Sequence, residues 1–258
     1  MLKIDQYAYI NGLKHVHPAE KVAFAFVFLL FTIITKNKSI ACLTFFIMSI
    51  SVVFAAKIPL SQYIKLLLLP SMFLLTSMMT IVISVTSINS NVNPLWQIEI
   101  GSWSIYTSLA NLKQAFDLGT TVIASISCLY FLILTTSINQ ILWVLKKLKL
   151  PILFIELVGM TYRFIFVLLD KMHEIFLAQS SRLGYQNHKN WITSVAQLIV
   201  SLFIKSSQSA KELQTAIESR GGEEGLYDIE IGIAINRSRC AGILVVVVGL
   251  FTISILTR

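Results

Sequence analysis

Two arginines stand where the sequence repeats itself. Ala178, Ser181, Arg182 and Gly184 spell Ala-x-x-Ser-Arg-x-Gly, and Ala216, Ser219, Arg220 and Gly222, with Gly221 inside the run, spell it again 38 residues later. Arginine offers a planar fork of donors suited to carboxylates, and small Ala and Ser beside it let another surface approach closely. The pattern also has a local explanation. A cation complements the negative end of a helix, and a glycine in the left-handed conformation caps it. Catalytic patterns are missing: the sequence has no Gly-x-Ser-x-Gly turn, no His-Glu-x-x-His and no Gly-x-x-x-x-Gly-Lys-Ser/Thr phosphate loop. His15 and His17 are two apart, so their rings diverge on a helix, and neither they nor His173 and His188 have a further ligand at metal-binding spacing. The chemistry on offer is recognition by charge at two equivalent points.

Each ending closes a long helical pattern. Pro151 is placed to start a helix and nothing breaks the pattern before Gly184, which makes a rod of roughly 45 Å at 1.5 Å per residue. A second rod runs from about Asn190 to Arg220. On the first, Glu156, Arg163 and Asp170 recur every seven residues and share a stripe, with Glu174 one turn further. Charges in so apolar a helix are expensive against lipid. The stripe either pairs across a helix interface or lies on a surface that slides during work.

The rest of the chain supplies a membrane frame. Of 258 residues, 55% are hydrophobic and 13% charged, with a mean hydropathy of +0.75, more than a soluble core needs. The net charge of +8 has no solvated basic domain to serve nucleic acid; 12 of the 21 Lys and Arg fall between Lys146 and Arg239, as on a cytoplasmic face beside anionic lipid. Cys42, Cys128 and Cys240 lie in apolar runs without metal spacing and are expected to be buried small residues. The first twenty residues are polar, so no cleavable signal is expected.

Apolar runs cover about Val22 to Thr35, Ser39 to Ala56, Leu66 to Val85, Leu118 to Thr136 and Cys240 to Leu256. The short first run either recruits Pro18 to Lys21, with Lys21 snorkelling, or forms a tight hairpin with the second. No Lys or Arg occurs from Thr86 to Leu112, which places that stretch outside and the basic segment inside. Lys36 and Lys38, in the first external turn, run against that rule. Pro70 should kink the third span, its freed carbonyl satisfied by a neighbour. Ile105, Leu109, Leu112 and Phe116 predict an amphipathic helix at the outer interface. The expected fold is all-α: a polytopic membrane protein with about four transmembrane helices over 1–136, two long cytoplasmic coupling helices within 137–239 and a fifth span over 240–258. The N-terminus is then cytoplasmic.

These residues resemble a known family. The paired endings are similar to the coupling motifs of the T component of energy-coupling-factor (ECF) transporters, which usually read Ala-Arg-Gly; Ser181 and Ser219 replace the alanine. Thr135, Thr136 and Ser137, then Leu145, Leu148, Leu150 and Pro151, resemble the passage from membrane to coupling helices. Tyr162, Arg163 and Phe164 resemble the first coupling helix, and Leu202, Phe203 and Lys205 the second. The opening, with Asp5, Tyr7, Ala8, Tyr9, Asn11, Val16, His17, Pro18 and Lys21, is closer to the cobalt type, CbiQ, than to the T protein shared among vitamin importers. The resemblance implies a subunit in the cell membrane that is not itself an enzyme and binds no cofactor. Two ATP-binding-cassette ATPases, identical or not, would bind ATP and take one coupling end each, anchored by Arg182 and Arg220. A membrane S component, with or without a small accessory subunit, would carry cobalt or nickel. A shared T component for vitamins and a stand-alone channel or secondary carrier are the alternatives.

Overall fold

The structure, a computed structural model, describes residues 3–35, 37–87, 96–100, 103–219 and 221, with the single positions 242, 246, 249 and 252. Lys36, Arg220, Gly222 and Cys240 lie outside the described residues. Of the expected last span only Gly242, Val246, Gly249 and Thr252 are described, all four helical. The chain divides between Ser137 and Ile138 into two compact units.

The first unit opens with α1 (Lys3–Ile10), α2 (Pro18–Thr35) and α3 (Lys38–Ile50), the last continued by a π-helical turn, Ser51–Ala55. The short first run does recruit Pro18 to Lys21, since α2 begins at Pro18, but the snorkelling expected of Lys21 is not seen. Asn37 caps α3 by accepting the Ser39 amide at 3.1 Å. Then come α4 (Leu60–Val82), three short strands and α5 (Leu109–Thr135). α5 is the axis of the unit and touches each of α1 to α4. Its packed side carries Ala115, Gly119, Ala124, Ser127 and Cys128, small residues that let helices approach where no hydrophobic drive separates side chain from lipid. Phe28, Met48, Val52, Phe131 and Leu134 fill the core around them.

The stretch between α4 and α5 forms strands, not the expected interfacial helix. β1 (Ser84–Ser87), β2 (Trp96–Ile100) and β3 (Trp103–Thr107) make an antiparallel sheet in the order β1-β3-β2, with Val85 and Ile98 both opposite Ile105. The sheet is a small addition to a helical fold. Alternating aromatic and β-branched residues favour the strands, while the step of four from Ile105 to Leu109 imitates helical spacing across a boundary. Ser108 marks that boundary by accepting the Asn111 amide at 3.2 Å, so Leu109, Leu112 and Phe116 are simply the first turns of α5. Lys38 sits 4.1 Å from the Phe116 ring centre, a cation–π contact that eases its position in the turn.

The carboxyl end of α5 is tied down by polar groups. Lys21 does not snorkel; it is buried, and its Nζ donates to the Thr135 carbonyl at 2.8 Å. The buried Asn11 Nδ2 reaches Thr135 O and Leu134 O at 3.3 Å each while holding Ala8 O at 2.7 Å and Tyr7 O at 3.1 Å. The neighbouring Gly12 donates its amide to Ala56 O at 3.0 Å, and a Cβ there would stand 2.7 Å from Ala55 O. That approach to the π-helical turn admits only glycine. His17 Nδ1 accepts the Ala19 amide at the start of α2, His15 is exposed, and no group of three metal-ligating side chains occurs among the described residues. Cys128 is buried as expected, but Cys42 is exposed, since an apolar residue in a span satisfies itself equally against lipid.

Five described helices are long and apolar enough to cross a membrane: α2, α3 with its π-helical turn, α4, α5 and α7 (Ile152–Ser181). α7, the expected coupling rod, has the most apolar window of the five. Two ionisable residues within a window do not outweigh sixteen others. Pro70 lies inside α4 and leaves Leu66 O without its helical donor. Tyr130 of α5 supplies the replacement, its hydroxyl donating to Leu66 O at 2.9 Å. Tyr130→Phe should lower stability by about 0.5–1.5 kcal/mol, read as an earlier thermal transition in detergent; an unchanged transition would mean that the carbonyl finds another donor.

Candidate functional site

The second unit begins with α6 (Ile138–Lys147), continues through α7 and turns into α8 (His188–Ser219). Pro151 is the N-cap of α7, its carbonyl accepting the amides of Phe154 at 3.1 Å and Ile155 at 3.4 Å. The rod of 30 residues is the expected one, and α8 runs for 32. On α7 the packed face is Ile155 and Gly159. Glu156 is half-buried, whereas Arg163 and Asp170 are exposed. Glu174 pairs within its own helix with Lys171 at 2.9 Å, both side chains largely in the open, a pair of small energetic weight.

The first repeated ending is a helix stop of two crossed bonds. Gly184 N donates to Gln179 O at 2.9 Å and Leu183 N to Ser180 O at 3.0 Å, the Schellman arrangement. The left-handed residue is Leu183, with φ of 60°, and not the glycine. At the second ending the residue in the same place, Gly221, has φ of 99° and donates to Glu218 O at 3.1 Å. Leu183 and Gly221 are 38 residues apart, as are Ser180 and Glu218, so the same terminal bond recurs on both rods.

Gly184 is required for a different reason. A Cβ on it would lie 2.6 Å from Ser194 Oγ and 3.0 Å from Gln179 O. Ser194, buried in the second turn of α8, donates its hydroxyl to Gly184 O at 2.8 Å and accepts Gln179 Nε2 on its own carbonyl at 3.1 Å. Tyr185 completes the corner by donating to Gln179 Oε1 at 2.7 Å, with its ring 4.8 Å from that of Phe176. The turn between the rods is thus held on both sides by side chains as well as by backbone.

Apart from the half-buried Gly184, the described residues of the two motifs face outward. Ser181 and Ser219 donate their hydroxyls to Leu177 O at 3.0 Å and Ala216 O at 2.9 Å, which removes them from competition for a partner's acceptors. Ala178, Ser181, Arg182, Ala216 and Ser219 are all exposed. Ala178 and Arg182 line a cavity of about 560 Å3 between α7 and α8, with Gln179, Thr193, Gln197 and Ser201 as its polar wall. The arrangement can present an exposed guanidinium over a recess that also has an apolar wall, of Ile175, Ala196 and Val200, at the end of a long rod. Sequence reading found the arginines but missed Leu183, Tyr185 and Ser194. Alignment of the two repeats, which sets Leu183 against Gly221, could have found the first. Ser194 carries no local signal, because its partner lies ten residues back across a turn.

Gly184→Ala should destabilise this unit by about 1–3 kcal/mol, measured by thermal or denaturant unfolding. Adding Ser194→Ala removes the nearest clashing atom and should recover part of the loss; additive losses would contradict the close approach.

Residues 11–227 match the family model described as CbiQ, cobalt transport protein. The chain is 27% identical over 217 residues to an uncharacterized protein of Methanocaldococcus jannaschii, covering 84% of this chain and 79% of the relative. It is 26% identical over 220 residues to the cobalt transport protein CbiQ of Salmonella typhimurium, covering 84% and 96%. To the energy-coupling factor transporter transmembrane protein EcfT of Ruminiclostridium cellulolyticum it is 30% identical over 236 residues, covering 87% and 85%. The matched region contains the tied end of α5, both rods and both repeated endings. With five membrane-length helices ahead of that second ending and a model match across most of its length, the chain belongs to the CbiQ family of cobalt transport proteins, a family of transporter membrane components.

Proposed function

We propose that this chain is the T component of an ECF-type importer, passing the work of ATP hydrolysis by two ATP-binding-cassette subunits to a membrane S component that carries cobalt or nickel. The observation that carries the reading is the pair of matched helix ends, each with an arginine followed by a left-handed residue and each on a rod of about thirty residues. A guanidinium fixed at a rigid end is suited to a carboxylate-lined groove on a partner. Two such ends suit two partners of one kind.

The remaining roles follow from this. The unit from Ile138 onward faces the cytoplasm with the N-terminus, in keeping with its many basic residues and with their absence from Thr86 to Leu112. Nucleotide is held by the partners, not by this chain. Glu156, Arg163 and Asp170 lie along the rod that moves. ATP-driven closure of the two ATPases spreads or rocks α7 and α8, and the S component tilts to release its cargo inside.

Arg182→Glu and Arg220→Glu should each reduce co-purification of the ATP-binding subunits and uptake by about tenfold or more, since reversal replaces attraction by repulsion at a docking contact. Normal complex yield and normal uptake in both variants would end the docking reading. Vesicles holding the whole complex should accumulate a divalent transition metal; a complex that takes up only a vitamin would instead assign the chain to the shared T components.

A further inference from the structure

The corner between α6 and α7 gathers charge and exposed apolar surface in one short stretch. Lys146, Lys147 and Lys149 fill three of four successive positions, all exposed, and no Asp or Glu occurs from 118 to 155. Among them stands Leu148, 68% exposed, and directly after them Ile152, Leu153 and Phe154 are exposed as well, Leu153 to 70%. α6 turns Leu142 and Val144 inward, while the Lys147 ammonium lies 5.2 Å from the ring centre of the half-buried Trp143. Water suits the lysines and not the four apolar side chains. A headgroup layer above hydrocarbon suits both.

The helix end explains only part of this. Lys149 is left-handed, with φ of 62°, at a stop where Lys149 N donates to Lys146 O at 3.0 Å and Leu150 N to Leu145 O at 3.4 Å, a place that glycine takes with less strain. A cation beside terminal carbonyls complements the helix dipole. That account is indifferent to the exposed Leu148, Ile152, Leu153 and Phe154. Position in the chain supplies what the dipole does not. Only Thr136 and Ser137 separate α6 from α5, a helix of membrane length, and α7 begins at Ile152 with an apolar window of its own. α6, at ten residues, spans about 15 Å, which keeps the corner within reach of the membrane surface at which α5 ends.

We propose that this corner is a binding surface for anionic phospholipid, in which the three ammonium groups hold headgroup phosphates while Leu148, Ile152, Leu153 and Phe154 enter the acyl layer beneath them. The residue types favour lipid over a protein partner. Lysine is depleted where proteins meet, and arginine is the cation suited to a carboxylate socket. Lysine instead carries a compact charge on a flexible apolar stem, which serves exchanging headgroups above a hydrocarbon layer. The proposal goes beyond the T-component reading and needs only the placement of the chain in a membrane. Joined with that reading, lipid at the corner holds the beginning of α7 at the surface, and the motion of this rod then depends on the anionic fraction of the bilayer.

The test places the full chain in nanodiscs of phosphatidylcholine that hold a minor fraction of phosphatidylglycerol brominated on its acyl chains, and reads the quenching of Trp143 after Trp96, Trp103 and Trp191 are replaced by Phe. Compared with brominated phosphatidylcholine at the same fraction, phosphatidylglycerol should be preferred by about tenfold or more, and added salt should erase the preference. Changing Lys146, Lys147 and Lys149 together to Gln should bring the ratio to about one, each single change costing up to about fivefold, the scale of one lysine at an anionic surface. Arg at all three positions should keep it. Lys149→Gly should lower the ratio with the melting temperature equal or higher, because glycine suits the left-handed site. A parent ratio near one, a ratio that survives the triple Gln change, or no quenching of Trp143 by either lipid overturns the proposal. So does equal retention of the two lipids, read by native mass spectrometry on the chain with all its tryptophans. Loss of co-purifying ATP-binding subunits from the triple Gln variant, with its lipid ratio unchanged, would assign the lysines to a protein surface and also overturn it.

Discussion

One carbonyl oxygen organises the membrane unit. Thr135 O ends α5, and it is met by the ammonium of Lys21 and the amide of Asn11. A buried cation inside an apolar helix is costly unless something negative faces it. The end of a helix 27 residues long is such a partner, because its last carbonyls carry the negative pole of the dipole. The same contact serves both sides: Lys21 gains a counter-charge, and α5 gains a donor for groups that the helix cannot satisfy. Asn11 then carries the constraint back to α1, and Gly12 extends it to the π-helical turn after α3. Elements far apart in sequence are thereby gathered at the place where the chain leaves for its second unit.

Much of this was legible from residue types, and the failures have physical causes. Hydropathy located the first four spans because burial in lipid needs only length and apolarity. α7 satisfies the same two conditions, yet its charges, spaced by sevens, read as those of a coupling rod; length and apolarity do not separate the two readings. Lys21 was expected to snorkel to the interface, but its partner is a buried backbone atom, and backbone atoms have no letter in a sequence. Cys42 and Cys128 have similar neighbours in the chain but opposite surroundings, because a span has a lipid face and a protein face of the same chemistry. Hydropathy cannot separate them.

The repeated endings show the same division. Both arginines and their small neighbours were visible as letters, and the helix stop they close was anticipated. The identity of the left-handed residue was not. Gly184 was the expected candidate, but its lack of a side chain serves the approach of Ser194, and the turn itself falls on Leu183. A glycine can answer to packing or to backbone conformation. Only the position of its neighbours tells which.

α4 illustrates a different consequence of hydrogen bonding inside a bilayer. Only Tyr63 and Leu74 of its 23 residues are buried, so packing does little to fix its orientation. Directional contacts do that instead: Tyr63 shares hydroxyl bonds with Ser49 and Ser127, Tyr130 holds the carbonyl at the proline, and the ladder of β1 with β3 joins the far end of α4 to the start of α5. A helix pinned at three points along one edge behaves like a door on its hinges. Sliding along α5 would break all three contacts, whereas a swing of the lipid-facing edge would break none of them, so bilayer thickness bears on α4 through the second coordinate and not the first.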